Sequence, residues 1–120
     1  MERKDPGKRQ RDLRVYSGYL CEFIRALRQK RGLSQHKVSL DGGLGREAVG
    51  RIERGETDPT HRTLLAVARG LRLTPERFFR LYGLFLFSRE WDDWHLRGQY
   101  YSEDGSERLQ LWKREPKPQK

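Results

Sequence analysis

The chain contains one cysteine, Cys21, and no asparagine. A lone cysteine excludes an internal disulfide framework, and the missing asparagine excludes N-linked glycosylation. Long hydrophobic runs are missing too. Stretches such as Leu84 to Phe87 are far too short to span a bilayer. The stretch Met1 to Arg14 is rich in charge and holds no apolar segment of the kind a signal peptide needs. The expectation is a reducing, cytoplasmic setting with no membrane partner. Charge is what the sequence has in quantity. Of 120 residues, 36% are charged and 34% hydrophobic, and 26 basic against 17 acidic side chains leave a net charge of +9. A lean core under a basic surface favours an anionic partner, nucleic acid before an acidic membrane. Arginine outnumbers lysine 19 to 7, which suits bidentate contacts to phosphate and guanine and is equally what a GC-rich coding sequence produces.

The charge is uneven. Residues 1–14 carry +3, residues 15–82 carry +6 and residues 83–120 carry zero. Anion binding therefore falls to the first two-thirds. The last third holds all three tryptophans (Trp91, Trp94 and Trp112), with Tyr100, Tyr101, Phe85 and Phe87. Aromatic density without net charge reads as a packing or partner surface. Four regions follow: a basic flexible arm over 1–14, a helical domain over 15–82, an aromatic extension over 83–114, and a disordered tail over 115–120 with two prolines.

Within the helical domain, Leu20, Phe23, Ile24, Leu27 and Arg31 recur at helical spacing and predict a first helix from Tyr16 to Arg31. Gly32 ends it. Ser34 caps a second helix over Gln35 to Leu40. Asp41, Gly42 and Gly43 force a turn. A third helix is expected over 45–54, with Ala48, Val49 and Ile52 inward, and Gly55 as its stop. Thr60 caps a fourth helix to Gly70, and Thr74-Pro75 opens a fifth carrying Phe78, Phe79 and Leu81. Leu84 to Trp94 reads as a further helix. Gln99 to Ser102 and Arg108 to Lys113 flank Asp104-Gly105 and read as a β-hairpin.

Leu33-Ser34-Gln35, Leu44, Arg51-Ile52-Glu53-Arg54-Gly55, Pro59, Leu64 to Leu71 and Phe78-Phe79 closely resemble the phage-repressor (Cro and lambda-repressor, or XRE) helix-turn-helix family. The resemblance covers about residues 20–80. It implies a mainly α fold: a five-helix domain with a C-terminal extension, whose third helix enters the major groove of double-stranded DNA. Carried over by position, Arg46, Glu47, Gly50 and Arg51 face the bases. Arginine donates bidentately to guanine, whereas Glu47 either accepts from cytosine N4 or faces solvent. Gly50 either lets the helix approach the DNA closely or is a tolerated surface glycine. Gln35, Gly45, His61 and Arg62 fall at backbone-contact positions, and Lys8, Arg9 and Arg11 of the arm at further phosphates. Glu53 resembles the family's buried glutamate, paired here with Arg28 in a structural ion pair. Two departures stand out. Gly42 replaces a usual core leucine or alanine, and Gly45 a usual capping residue, so the turn is expected to be loose.

No catalytic set emerges. His36, His61 and His95 have no metal-site spacing, so neither metal nor other cofactor is expected. The run Gly42 to Ala48 lacks the third glycine and preceding strand of a dinucleotide fingerprint. Asp92 and Asp93 are neighbours that point apart on a helix. The expectation is a non-enzymatic, nucleoid-associated regulator, acting as a homodimer through Trp91, Trp94, Tyr100 and Trp112. One alternative is an antitoxin-like module whose residues 83–114 bind a protein partner. Another is a coactivator or RNA-associated module without base readout.

Overall fold

The computed structural model describes residues 6–92, with side chains from Leu13 onward. Five helices follow in order: α1 (Pro6–Lys30), α2 (Gln35–Asp41), α3 (Ala48–Glu53), α4 (His61–Gly70) and α5 (Pro75–Asp92). No strand occurs among the described residues. Two compact units divide the chain, Met1–Gly83 and Leu84–Lys120.

The local signals explain the caps. The Ser34 hydroxyl accepts from the Lys37 amide at 3.0 Å, and Thr60 does the same for Thr63 at 3.2 Å. Each satisfies an amide that the helix leaves without a partner. Two boundaries differ from expectation. Helix α1 begins at Pro6, not Tyr16, so most of the stretch read as a flexible arm is helical. Proline suits a first helical position, where its missing N–H costs nothing. Helix α5 runs unbroken through Gly83, where a helix and a separate Leu84 to Trp94 helix were expected. A single glycine weakens a helix by only about 1 kcal/mol and does not end it. The expected hairpin lies outside the described residues.

The core of the first unit draws on every helix: Phe23 and Ile24 from α1, Val38 from α2, Val49 and Ile52 from α3, Val67 and Ala68 from α4, and Phe78 from α5. Phe23 packs on Phe78 and stacks on Tyr82, with ring centroids 5.5 and 5.1 Å apart. In the second unit, Phe87 and Trp91 stack one helical turn apart at 6.3 Å, and the Arg89 guanidinium lies 4.9 Å from the Phe85 ring centre.

Helices α2 and α4 touch through their backbones. A Cβ built on Gly42 would collide with the Ala66 carbonyl oxygen, and one on Gly70 with the Val38 carbonyl oxygen. The residue that looked like a core deletion is therefore a close-approach glycine. The turn after it is not loose. Gly43, at φ +79°, lets its own amide reach Leu40 O at 2.9 Å and the Leu44 amide reach Ser39 O at 2.8 Å.

Gly42→Ala and Gly70→Ala should each lower stability by about 1–3 kcal/mol, because backbone atoms cannot yield as a side chain can. Gly18→Ala, in an open stretch of α1 with no neighbour in reach, should be neutral or stabilising. Urea unfolding midpoints of the three variants check this. Equal midpoints would show that α2 and α4 are not in backbone contact.

Candidate nucleic-acid interface

A helix of six residues does not persist alone in water. Helix α3 is that short, and neighbours hold both its ends. Its cap residue, Glu47, makes no side-chain cap bond. Ser39, wholly buried on α2, supplies the acceptor instead and takes the Val49 N–H at 3.0 Å. At the other end the Cys21 thiol donates to Ile52 O at 2.9 Å, and Arg25 Nη2 donates to Glu53 O at 3.0 Å. Partial burial raises the Cys21 pKa, which keeps that thiol a donor.

The Glu53 carboxylate ties three helices together. Its side chain has no exposed surface. Arg28 donates to it twice, Nε at 2.6 Å and Nη2 at 3.0 Å, and Gln35 Nε2 donates at 2.8 Å. Arg25 Nε lies 3.6 Å away. The remaining Arg28 nitrogen donates to Leu33 O at 2.9 Å, fixing the α1–α2 turn. Burial alone would raise the Glu53 pKa. The Arg28 and Gln35 hydrogen bonds and the charges of Arg28 and Arg25 outweigh it and hold the pKa below the usual glutamate value.

The expected interface residues separate. Arg46, Glu47 and Arg51 are exposed. Arg51 is on α3, but Arg46 and Glu47 lie in a turn before it, closed by the Ala48 amide on Gly45 O at 3.0 Å. The helix expected over 45–54 thus forms only over Ala48–Glu53. Gly45 is open, with nothing near its absent side chain. Gly50 departs from expectation. It is buried, and a Cβ there would lie 3.1 Å from both Gln35 Oε1 and Arg54 Nη1. Gln35 crosses it on the way to Glu53, so Gly50 offers DNA no bare patch. Gln35 is half-buried, with one amide hydrogen committed to Glu53. His61 and Arg62 are exposed at the start of α4, and the His61 ring stacks on Phe79 at 5.8 Å. Lys8, Arg9 and Arg11 lie on the first turns of α1, and their side chains are outside the described residues. Trp91 is on α5, whereas Trp94, Tyr100 and Trp112 lie outside the described residues.

Charge pairing sorts the arginines further. Arg54 pairs with Glu56 at 2.7 Å, and Lys37 with Asp41 at 3.3 Å. Arg46, Arg51 and Arg62 make no ion pair among the described residues. Sequence reasoning missed Ser39 and Arg25. The signal for Ser39 was a hydroxyl on the apolar side of a helix, beside Val38, where burial requires a partner. Arg25 gave no local signal.

A family model for helix-turn-helix domains matches residues 24–78, the span from the buried Ile24 to the buried Phe78. The match takes in under half of the chain and is a likeness to helix-turn-helix domains over residues 24–78. Over 55 residues the chain is 36% identical to the HTH-type transcriptional regulator SutR of Escherichia coli strain K12, covering 46% of this chain and 31% of that protein. The matching part thus spans under a third of that relative. Crystal structures of the restriction-modification controller protein C.Esp1396I, wild type and a point mutant, superpose with a TM-score of 0.54 at 21% identity. They cover 59% of this chain, and the match takes in 93% and 90% of theirs, a likeness of fold. No group of histidine, cysteine and carboxylate side chains among the described residues could hold a metal ion, and no described helix is long and apolar enough to cross a membrane.

The helix-turn-helix domain should depend on Glu53 in a pH-resolved way. Its folded pKa lies below the unfolded value, so its contribution is full above the unfolded value and is lost as pH falls through the folded one. Glu53→Gln should cost about 3–5 kcal/mol at neutral pH, because Arg28 stays mostly buried without its counter-charge. The variant should also lose part of the acid-side slope of stability against pH. Denaturant melts from neutral pH downward read both effects.

Proposed function

We propose that this protein is a sequence-specific, double-stranded DNA-binding transcriptional regulator, a homodimeric repressor that reads the major groove with Arg46 and Arg51. The observation carrying this reading is the contrast across α3. Its inner face and both ends are pinned by Glu53, Ser39, Cys21 and Arg25, while Arg46 and Arg51 are exposed, with no ion-pair partner among the described residues. A rigid platform bearing unpaired guanidinium groups suits bidentate donation to guanine O6 and N7. Glu47, beside them, accepts from cytosine N4. Gly45, Gln35 through its second amide hydrogen, His61 and Arg62 contact the phosphate backbone. Lys8, Arg9 and Arg11, carried on a helix, add nonspecific phosphate contacts and steepen the salt dependence. The likeness to the regulator SutR supports a regulatory role.

One such domain reads few base pairs, and two-fold symmetry doubles the site. The neutral, aromatic region 83–114 is the dimerisation element, with Trp91, Trp94, Tyr100 and Trp112 at or near the interface. Such a protein acts where the DNA is, at the nucleoid in the cytoplasm, and performs no catalysis.

Selection from a random duplex library tests the reading, with wild type and Arg46→Ala/Arg51→Ala side by side. The expected wild-type product is an inverted repeat with half-sites near one helical turn apart, about 34 Å. The double variant should lose about 1–3 kcal/mol of discrimination per contact. Salt-sensitive binding without a motif in either protein would overturn base readout. Sedimentation of Trp91→Ala/Trp112→Ala tests the dimer separately, and an unchanged dimer at micromolar concentration would refute the interface.

A further inference from the structure

A groove of about 690 Å³ opens where the end of α1, the turn into α2, the α4–α5 turn and the first half of α5 meet. Its apolar lining is Leu27, Leu33, Leu73 and Leu81. Its polar lining is Lys30, Arg31, Arg72 and Arg77, with no carboxylate among the lining residues. None of Arg46, Arg51, His61 and Arg62 borders it, so it is separate from the surface assigned above to DNA.

Two of the four cations occupy positions that the local backbone disfavours. Lys30 and Arg31 end α1, where the helix dipole welcomes positive charge, and by themselves they indicate nothing. Arg77 stands in the first turn of α5, at the positive end of that helix, where a carboxylate is preferred. Arg72 has φ +68°, a left-handed conformation held elsewhere among the described residues by Gly32, Gly43 and Gly55. Glycine is the residue that this helix-ending turn favours. Helix stability therefore accounts for neither arginine, and both border the same groove. Arg72 pairs with Asp41 at 3.0 Å, while Lys30, Arg31 and Arg77 make no ion pair among the described residues.

We propose that this groove docks an acidic amphipathic helix of a partner protein. The leucine-lined floor calls for apolar side chains at three- and four-residue spacing, and the cationic rim calls for aspartate or glutamate beside them. Nucleic acid would answer the rim with phosphates but would leave the leucines uncovered. Charge complementarity and the apolar floor together select the peptide.

The test uses the full chain and a fluorescein-labelled peptide with leucine at helical spacing and glutamate elsewhere. A scrambled isomer of equal charge serves as the reference. The patterned peptide should bind about tenfold tighter than the scrambled one, since only it presents an apolar stripe to the groove. Arg31→Glu/Arg77→Glu, both at exposed positions, should keep the circular dichroism of wild type and weaken the patterned peptide about tenfold. In methyl NMR spectra the four groove leucines should shift on adding the patterned peptide and stay in place on adding duplex DNA. Equal binding of the two peptides would reduce the effect to bulk charge and overturn the proposal. Unchanged affinity in the variant would overturn it as well. Leucine shifts with duplex alone would make the groove a nucleic-acid site instead.

Discussion

The buried carboxylate of Glu53 is the interaction on which the arrangement of this domain turns. It accepts from Arg28 on α1 and Gln35 on α2 while sitting at the last turn of α3. Placing a carboxylate in the interior is costly, and the attraction of a single partner seldom exceeds that cost by much. The return is geometric. Three helices are brought to one point, and the hydrogen-bond directions at that point fix their mutual rotation. Arg28 extends the constraint to the Leu33 carbonyl, so the turn between α1 and α2 is set by the same charge.

Around that point the domain divides into a fixed interior and a free exterior. Helix α2 rests against α4 at backbone distance, which only Gly42 and Gly70 permit. Ser39, held in α2, then accepts the Val49 amide of α3. The short helix is thereby positioned by its neighbours and not by its own propensity. Arg51 on its exposed face, and Arg46 in the turn before it, make no ion pair among the described residues. The same contrast holds around the leucine-lined groove, where Arg72 and Arg77 persist against local preference. A surface residue at odds with its own backbone is informative because helix stability does not account for it.

Much of the fold was legible because the signals are local. Ser34, Thr60 and Gly32 mark helix ends through contacts within a few residues, and the apolar spacing marks the inner faces of α1, α3 and α4. The buried Glu53 was reached by resemblance to a known family and by no spacing rule. Less legible were features that depend on a distant neighbour. Gly50 looked like bare surface until Gln35 was found across it. Gly42 looked like a missing core residue until the Ala66 carbonyl was found beside it. Helix α3 starts at Ala48 and not at Gly45: the Ala48 amide closes a turn on Gly45 O, and the Val49 amide is served by Ser39 of α2 and not by a side chain at its own cap.

The sequence by itself determined a small, basic, helical domain that resembles the helix-turn-helix class, with an aromatic extension of zero net charge. Composition, caps and periodicity give the basic, helical character, because each acts within a few residues or sums over the whole chain; the helix-turn-helix type is what the motif resemblance implies. The tertiary structure alone decided which outward residues are free. Arg46 and Arg51 make no ion pair among the described residues, Arg54 pairs with Glu56, Gln35 is half-committed to Glu53, and Gly50 is covered. The physical reason is that a side chain's availability depends on what lies within hydrogen-bonding reach in space. For these residues the deciding partner is either a neighbour brought close by a turn or a residue on another helix.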